Sequence, residues 1–145
     1  SNNVTVFQVE TSGLLTLVAP AGSGTNPMSI GGTGPIGIAV APDGQVLYTA
    51  NEEGTVSALT IGTNGLLTLA PSSGSSSNPV QAGTNPSAIT ISQDGQFVYV
   101  ANRGGGVSAY TVVSGTGTLV PLPVLLGNPF PTGTAPSGIA IQRPL

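Results

Sequence analysis

The sequence predicts an all-β chain assembled from a repeat of about fifty residues, each full copy a four-stranded antiparallel unit. Apolar residues alternate with polar ones at a period of two, the mark of strands with one face more buried than the other, and no segment carries a 3.6-residue period with caps. The segment GTGPIGIAVAPDGQVLYTANEEGTVSALTI (32–61) matches GTNPSAITISQDGQFVYVANRGGGVSAYTV (83–112) position for position. Pro35 and Pro86 stand 51 residues apart, and Pro136 opens a third copy, PSGIAIQ, 50 residues further on. At the other end NNVTVFQVETSGLLTL (2–17) matches GTVSALTIGTNGLLTL (54–69). The expected organisation is strands three and four of a split unit in 1–31, complete units in 32–82 and 83–132, and the innermost strand of a further unit in 133–145.

Within a unit each strand has its own warrant. The first, Ile36 to Ala41 with copies Ser87 to Ser92 and Ser137 to Gln142, follows a proline, which cannot donate to a ladder and so marks a strand start. The second, Val46 to Ala50 and Phe97 to Ala101, follows Asp43-Gly44 or Asp94-Gly95, pairs suited to the positive φ of a hairpin turn. The third is Val56 to Ile61, with copies Val4 to Val9 and Val107 to Val112. The fourth, Leu66 to Ala70 with copies Leu14 to Val18 and Thr118 to Leu122, is entered through Asn64-Gly65, Ser12-Gly13 or Thr116-Gly117. Proline-, serine- and glycine-rich stretches such as 71–85 read as loops between units. Units of this kind, each closing with a loop to the inside of the next, follow the pattern of propeller blades.

Composition excludes several functions. Only seven side chains are charged (Glu10, Asp43, Glu52, Glu53, Asp94, Arg103 and Arg143), and the net charge is −3. A nucleic-acid footprint needs clustered Lys and Arg, so no nucleic acid is expected as a partner, and an anionic membrane surface is disfavoured for the same reason. No apolar run reaches the roughly 18 to 20 residues of a membrane-spanning helix. Cysteine and histidine are both absent, which removes disulfides, thiolate and imidazole metal ligands, an imidazole base and any Ser-His pair. Scarce charge beside abundant Ser, Thr, Asn and Gly is a habit of secreted and surface β proteins, and an extracytoplasmic location is expected.

LYTAN (47–51) and VYVAN (98–102), within PIGIAVAPDGQVLYTANEEGTVSAL and PSAITISQDGQFVYVANRGGGVSAY, resemble the YVTN repeat of bacterial and archaeal β-propellers. The wider group that the chain resembles includes lactonase-like propellers related to 6-phosphogluconolactonase, together with surface proteins of no known chemistry. The resemblance implies a partial propeller, the C-terminal part of a longer protein, and a loop face that commonly holds ligands. Lactonase-like enzymes place charged and imidazole side chains around the channel mouth. This sequence has no histidine to match them, and no catalytic residue carries over.

The candidate ligand-binding residues are Glu52, Glu53 and Arg103, which fall in the loop between strands two and three on the face that leads into each innermost strand. The bland alternative is a solvated loop that keeps charge in water. Glu52 and Glu53 lack the spaced carboxylate ladder of a calcium loop, so no metal or cofactor is expected. Asp43 and Asp94 read as caps of their own turns. Phe7, Tyr48, Phe97, Tyr99, Tyr110 and Phe130 read as core or inter-unit packing. Arg103 to Val107 lacks the Lys and following helix of a phosphate loop.

The expected role is a non-catalytic binding or assembly module of an exported protein. The alternative is a piece of a lactonase-like hydrolase whose reacting groups lie on blades outside this chain. Open strand edges call for partners, either other copies of the chain or the remainder of a longer one.

Overall fold

The computed structural model describes residues 2–20, 25–72, 74 and 76–142. Its elements confirm an all-β chain. The first complete sheet runs β5 (Pro35–Val40), β6 (Val46–Asn51), β7 (Thr55–Ile61) and β8 (Leu67–Leu69), after β1 (Asn3–Val4), β2 (Phe7–Val9), β3 (Leu15–Leu17) and β4 (Met28–Ser29). Following β9 (Val80–Gln81), the second complete sheet runs β10 (Pro86–Ile91), β11 (Phe97–Asn102), β12 (Val107–Val112) and β13 (Leu119–Pro121). Neighbours in both sheets are antiparallel, and both first-to-second strand pairs carry a register shift just after their opening proline. The only helical element among the described residues is one 3₁₀ turn, Val124–Leu126.

Turn chemistry explains why the strands end where they do. Asp43 Oδ1 accepts from the Gln45 N–H at 2.9 Å and Asp94 Oδ1 from the Gln96 N–H at 3.0 Å, while Gly44 and Gly95 take φ of 71° and 72°. A side-chain acceptor two residues back closes the turn, and glycine takes the left-handed conformation at no steric cost.

The main core lies between the two complete sheets. Tyr48, Ala50, Val56 and Ala58 of the first meet Val98, Val100, Tyr110 and Leu119 of the second, with Ile89 and Ile91 packed at the inner edge. Fully burying one such aliphatic side chain contributes about 1.5–3 kcal/mol. Both buried tyrosines satisfy their hydroxyls across the seam: Tyr48 donates to the Gly117 carbonyl at 2.9 Å and Tyr110 to that of Gln81 at 2.6 Å. A second cluster of Ile30, Leu47, Leu59 and Leu67 is covered by Val4, Val6, Met28 and Ile61.

The stretches expected to be plain loops carry a repeated structural device. Asn78 inserts its carboxamide between the third and fourth strands, accepting from the Ala58 N–H at 3.0 Å and donating to the carbonyls of Ala58 and Ala70 at 2.8 and 2.7 Å. Asn26 does the same to Val6 and Val18, and Asn128 to Ala109 and Leu122. Each of these asparagines precedes a proline through a cis peptide bond. The residues that follow then pair with the start of the third strand: β9 with β7, β4 with β1, and Phe130 with Val107. One side chain thus supplies an acceptor and two donor hydrogens where the backbone ladder diverges, because buried strand polar groups require partners.

Two expected strands differ. Val4 to Val9 is broken into β1 and β2: among the described residues no strand lies along its other edge to keep it straight, and the Asn26 carboxamide engages Val6 at the break. Ser137 to Gln142 joins no ladder; the contact next to it is Ser87 Oγ donating to the Pro136 carbonyl at 2.6 Å. In the complete sheets a strand like Phe97–Asn102 pairs with the innermost strand, and no such strand lies beside Ser137 to Gln142 among the described residues. Arg143 lies outside the described residues.

Candidate functional site

At the end of the first sheet where β6 turns into β7, the 31–34 loop folds down against 51–53. A Cβ built on Gly32 falls 2.4 Å from Asn51 Nδ2, so only glycine fits there. Beneath it, fully buried Asn51 accepts from Thr49 Oγ1 at 3.0 Å and donates to Thr55 Oγ1 and Ser57 Oγ, both at 2.9 Å. Thr55 passes the chain on, donating to Glu53 Oε1 at 2.9 Å, and Thr33 donates to Glu53 Oε2 at 2.7 Å. The exposed Glu53 carboxylate is therefore held by two hydroxyls, Thr33 first and Thr55 second, which keep its pKa below the usual carboxylate value. Glu52 donates its backbone N–H to the Gly34 carbonyl and lays its side chain along Gly34, where an added Cβ would fall 2.7 Å from Oε2. Asn2 Oδ1 accepts from the Gly34 N–H at 3.1 Å, tying the N-terminal strand to this rim.

Arg103 occupies the corresponding end of the second sheet. Its backbone N–H reaches the Asn85 carbonyl as that of Glu52 reaches Gly34, and its side chain is exposed. The three expected residues thus lie on one rim, with the two glutamates on one sheet and the arginine on the next. Gly104 stands where Glu53 stands in the first unit, and an added Cβ there would lie 2.7 Å from Thr84 Cβ. Thr33, Thr55 and Asn51, which organise the carboxylate, went unrecognised in the sequence. The available signal was the recurring G-T-x-P at Gly32, Gly83 and Gly133, each three residues before an opening proline.

Elsewhere the titratable groups are structural. Ser92 Oγ, then the Gln96 N–H, lower the Asp94 pKa; burial first, then the charge of Asp43, raises that of Tyr48; and burial pushes Tyr110 up to about 12. The aromatic set is only partly core. Tyr48 and Tyr110 are buried, but Phe7 is 48% exposed and Tyr99 half-buried, because among the described residues no further sheet lies against the faces they occupy. No group of three or more metal-ligating side chains gathers among the described residues. Nor is any helix among them long and apolar enough to cross a membrane.

The family model "Lactonase, 7-bladed beta-propeller" matches residues 2–123. The chain belongs to this lactonase family of propellers. No curated protein matches it. Among solved structures, this lactonase-family chain is similar to a functionally unknown protein from Desulfotomaculum acetoxidans (27% identity, TM-score 0.68, 84% of this chain and 34% of that one). It is similar also to a Lactobacillus plantarum protein (26%, TM-score 0.64, 85% and 35%). A Bacteroides uniformis protein provisionally named a 6-phosphogluconolactonase shares the fold at 21% identity, with a TM-score of 0.75 over 97% of this chain and 38% of that one. The chain spans about a third of the length of these structures. Its two complete sheets are accordingly two blades of a propeller.

Proposed function

We propose that these blades form a recognition and structural segment of an exported lactonase-family protein and do not themselves carry out its chemistry. The observation that supports this most is the state of Glu53. A carboxylate held by two hydroxyls below its ordinary pKa stays ionised at neutral pH and is a poor proton carrier there, whereas a general acid or base works best with a pKa near the operating pH. It is suited instead to accept hydrogen bonds from a hydroxylated ligand, while Arg103 on the next blade offers a fork for a carboxylate or phosphate group. Export is supported by composition, with no Lys and no Cys among 145 residues. Assembly with further blades is part of the same reading.

The test is amide-resolved NMR titration with a polyol and with a sugar acid, alongside hydrolysis of simple sugar lactones with and without divalent metal. Shifts are expected at Thr33, Glu53 and Arg103, lost in Glu53→Gln, without turnover. Turnover abolished by changing Glu52 or Arg103 overturns the reading.

A second reading is favoured by the family match: lactone hydrolysis by a longer ring in which reacting groups come from other blades. There, Glu53→Gln and Arg103→Ala raise KM and leave kcat unchanged.

A further inference from the structure

The seam between the two complete blades is closed by the main core and opens at the end opposite the Glu53 rim. Strand β6 spans the two ends: it starts at Val46, which lines the opening, and finishes at Asn51 beneath the rim. The opening is a cleft of about 710 Å³, inside the roughly 300–1,000 Å³ of small-molecule sites. Both walls belong to the complete blades. One is the turn from β5 to β6; the other is made by the turns of the second sheet at 94–96 and 113–117. Where the walls come closest, glycine takes the place of a side chain: a Cβ built on Gly117 falls 2.5 Å from Val46, and one on Gly95 falls 3.5 Å from Pro42.

The lining combines an apolar strip with polar groups that the fold uses only in part. Pro42, Val46 and Val112 form the strip. Asp43 and Asp94 each close their turn through one oxygen, Oδ1, so the second oxygen of each carboxylate can accept from a ligand. Gln45 and Gln96 serve the sheets through their backbone carbonyls, which accept from the Ile61 and Val112 N–H groups at 2.7 and 2.8 Å. Their exposed carboxamides are left to reach a ligand, as are the exposed hydroxyls of Thr111 and Ser114. No cationic side chain lines the cleft among the described residues: the chain has no Lys, and Arg103 stands at the far end of its blade. The field is felt inside, where burial first and then the charge of Asp43 raise the pKa of Tyr48.

We infer that this cleft between the blades binds a hydroxylated organic cation of the amino-sugar class. Asp43 and Asp94 accept from its ammonium group, and the Gln45 and Gln96 carboxamides with the Thr111 and Ser114 hydroxyls exchange hydrogen bonds with its hydroxyls. Its C–H face lies on Pro42, Val46 and Val112. An inorganic cation would leave the carboxamides and the apolar strip unused, a neutral sugar would leave the charge unused, and an anion would be repelled. The inference does not depend on the ligand reading at Glu53, which concerns the opposite end of the blades.

The experiment titrates glucosamine, glucose and gluconate separately into the full chain at low salt and follows the backbone amide signals by NMR. Saturable shifts at Gln45, Gln96 and Ser114 are expected with glucosamine, with affinity roughly tenfold lower for glucose and no response there to gluconate. Asp43→Asn and Asp94→Asn keep an acceptor for the turn while removing its charge, and each should weaken glucosamine roughly tenfold. Gln96→Ala, whose side chain closes no turn, should weaken glucosamine and glucose alike by several-fold and carries the test if the aspartate variants do not fold. Glu53→Gln should leave these shifts unchanged. Glucosamine shifts confined to Thr33 and Glu53 overturn the inference, as does an equal response of the cleft to gluconate. A titration in which none of the three cleft signals saturates overturns it as well.

Discussion

Asn51 and Asn102 hold the same position in successive blades, both fully buried at the end of the second strand, yet their surroundings differ. Thr49, Thr55 and Ser57 surround Asn51, so that its oxygen accepts a hydrogen bond and its nitrogen donates two. In the second blade the first two hydroxyls are replaced by Val100 and Gly106. Asn102 Nδ2 still reaches Ser108 Oγ and the Val100 carbonyl, but Oδ1 is buried without a partner. What both blades retain is the scaffold: glycine over the asparagine, Asp-Gly turns and the asparagine clasp between strands three and four. What differs is the polar content of the rim, and only the blade with the complete hydroxyl set carries a held carboxylate. A repeat can vary its rim freely because the scaffold contacts lie elsewhere.

The largest expected effect tests the shared half of this comparison. Asn128→Ala and Asn78→Ala should each cost about 3 kcal/mol in urea unfolding, since each leaves strand polar groups without partners. Markedly unequal losses would mean that the clasp is not common scaffold.

Next in size is a contrast between blades. Gly65→Ala should cost about 1 kcal/mol from its φ of 76° alone. Gly117→Ala, which also drives a methyl into Val46, should cost about 2 kcal/mol more, read from the two melting curves.

A smaller change should repair the difference at the asparagines. Val100→Thr restores the donor that Thr49 supplies in the first blade and is expected to stabilise by about 1 kcal/mol, with Thr49→Val destabilising by a similar amount. If Val100→Thr lowers the melting temperature, the buried oxygen is satisfied by some other means.

The smallest effect is that of pH. Because Glu53 has a folded pKa below its unfolded value, its stabilising contribution is complete above the unfolded value and fades as pH falls through the folded one. Thr33→Val should raise the Glu53 pKa in a carboxyl NMR titration more than Thr55→Val does. The reverse order would break the assignment of Thr33 as its main partner.

Strand order, turn positions and the repeat were legible in the sequence because they depend on local chemistry: period-two burial, Asp-Gly pairs at positive φ, and a proline at the start of each unit's first strand. The recurring Asn-Pro at Asn26, Asn78 and Asn128 was equally visible, but nothing local reveals that a carboxamide will take the place of strand backbone twenty residues away. Glu52, Glu53 and Arg103 could be assigned to one rim by counting along the repeat. That Glu53 is the carboxylate held by hydroxyls, with Glu52 laid against Gly34, depends on the 31–34 loop folding onto 51–53, a long-range contact set by where β5 and β6 pair. The break in the strand that begins at Asn3 and the unpaired Ser137 to Gln142 have the same origin. An alternating pattern makes a segment able to be a strand, but a ladder forms only where a neighbouring edge is present to receive its hydrogen bonds, and that is decided by the tertiary structure.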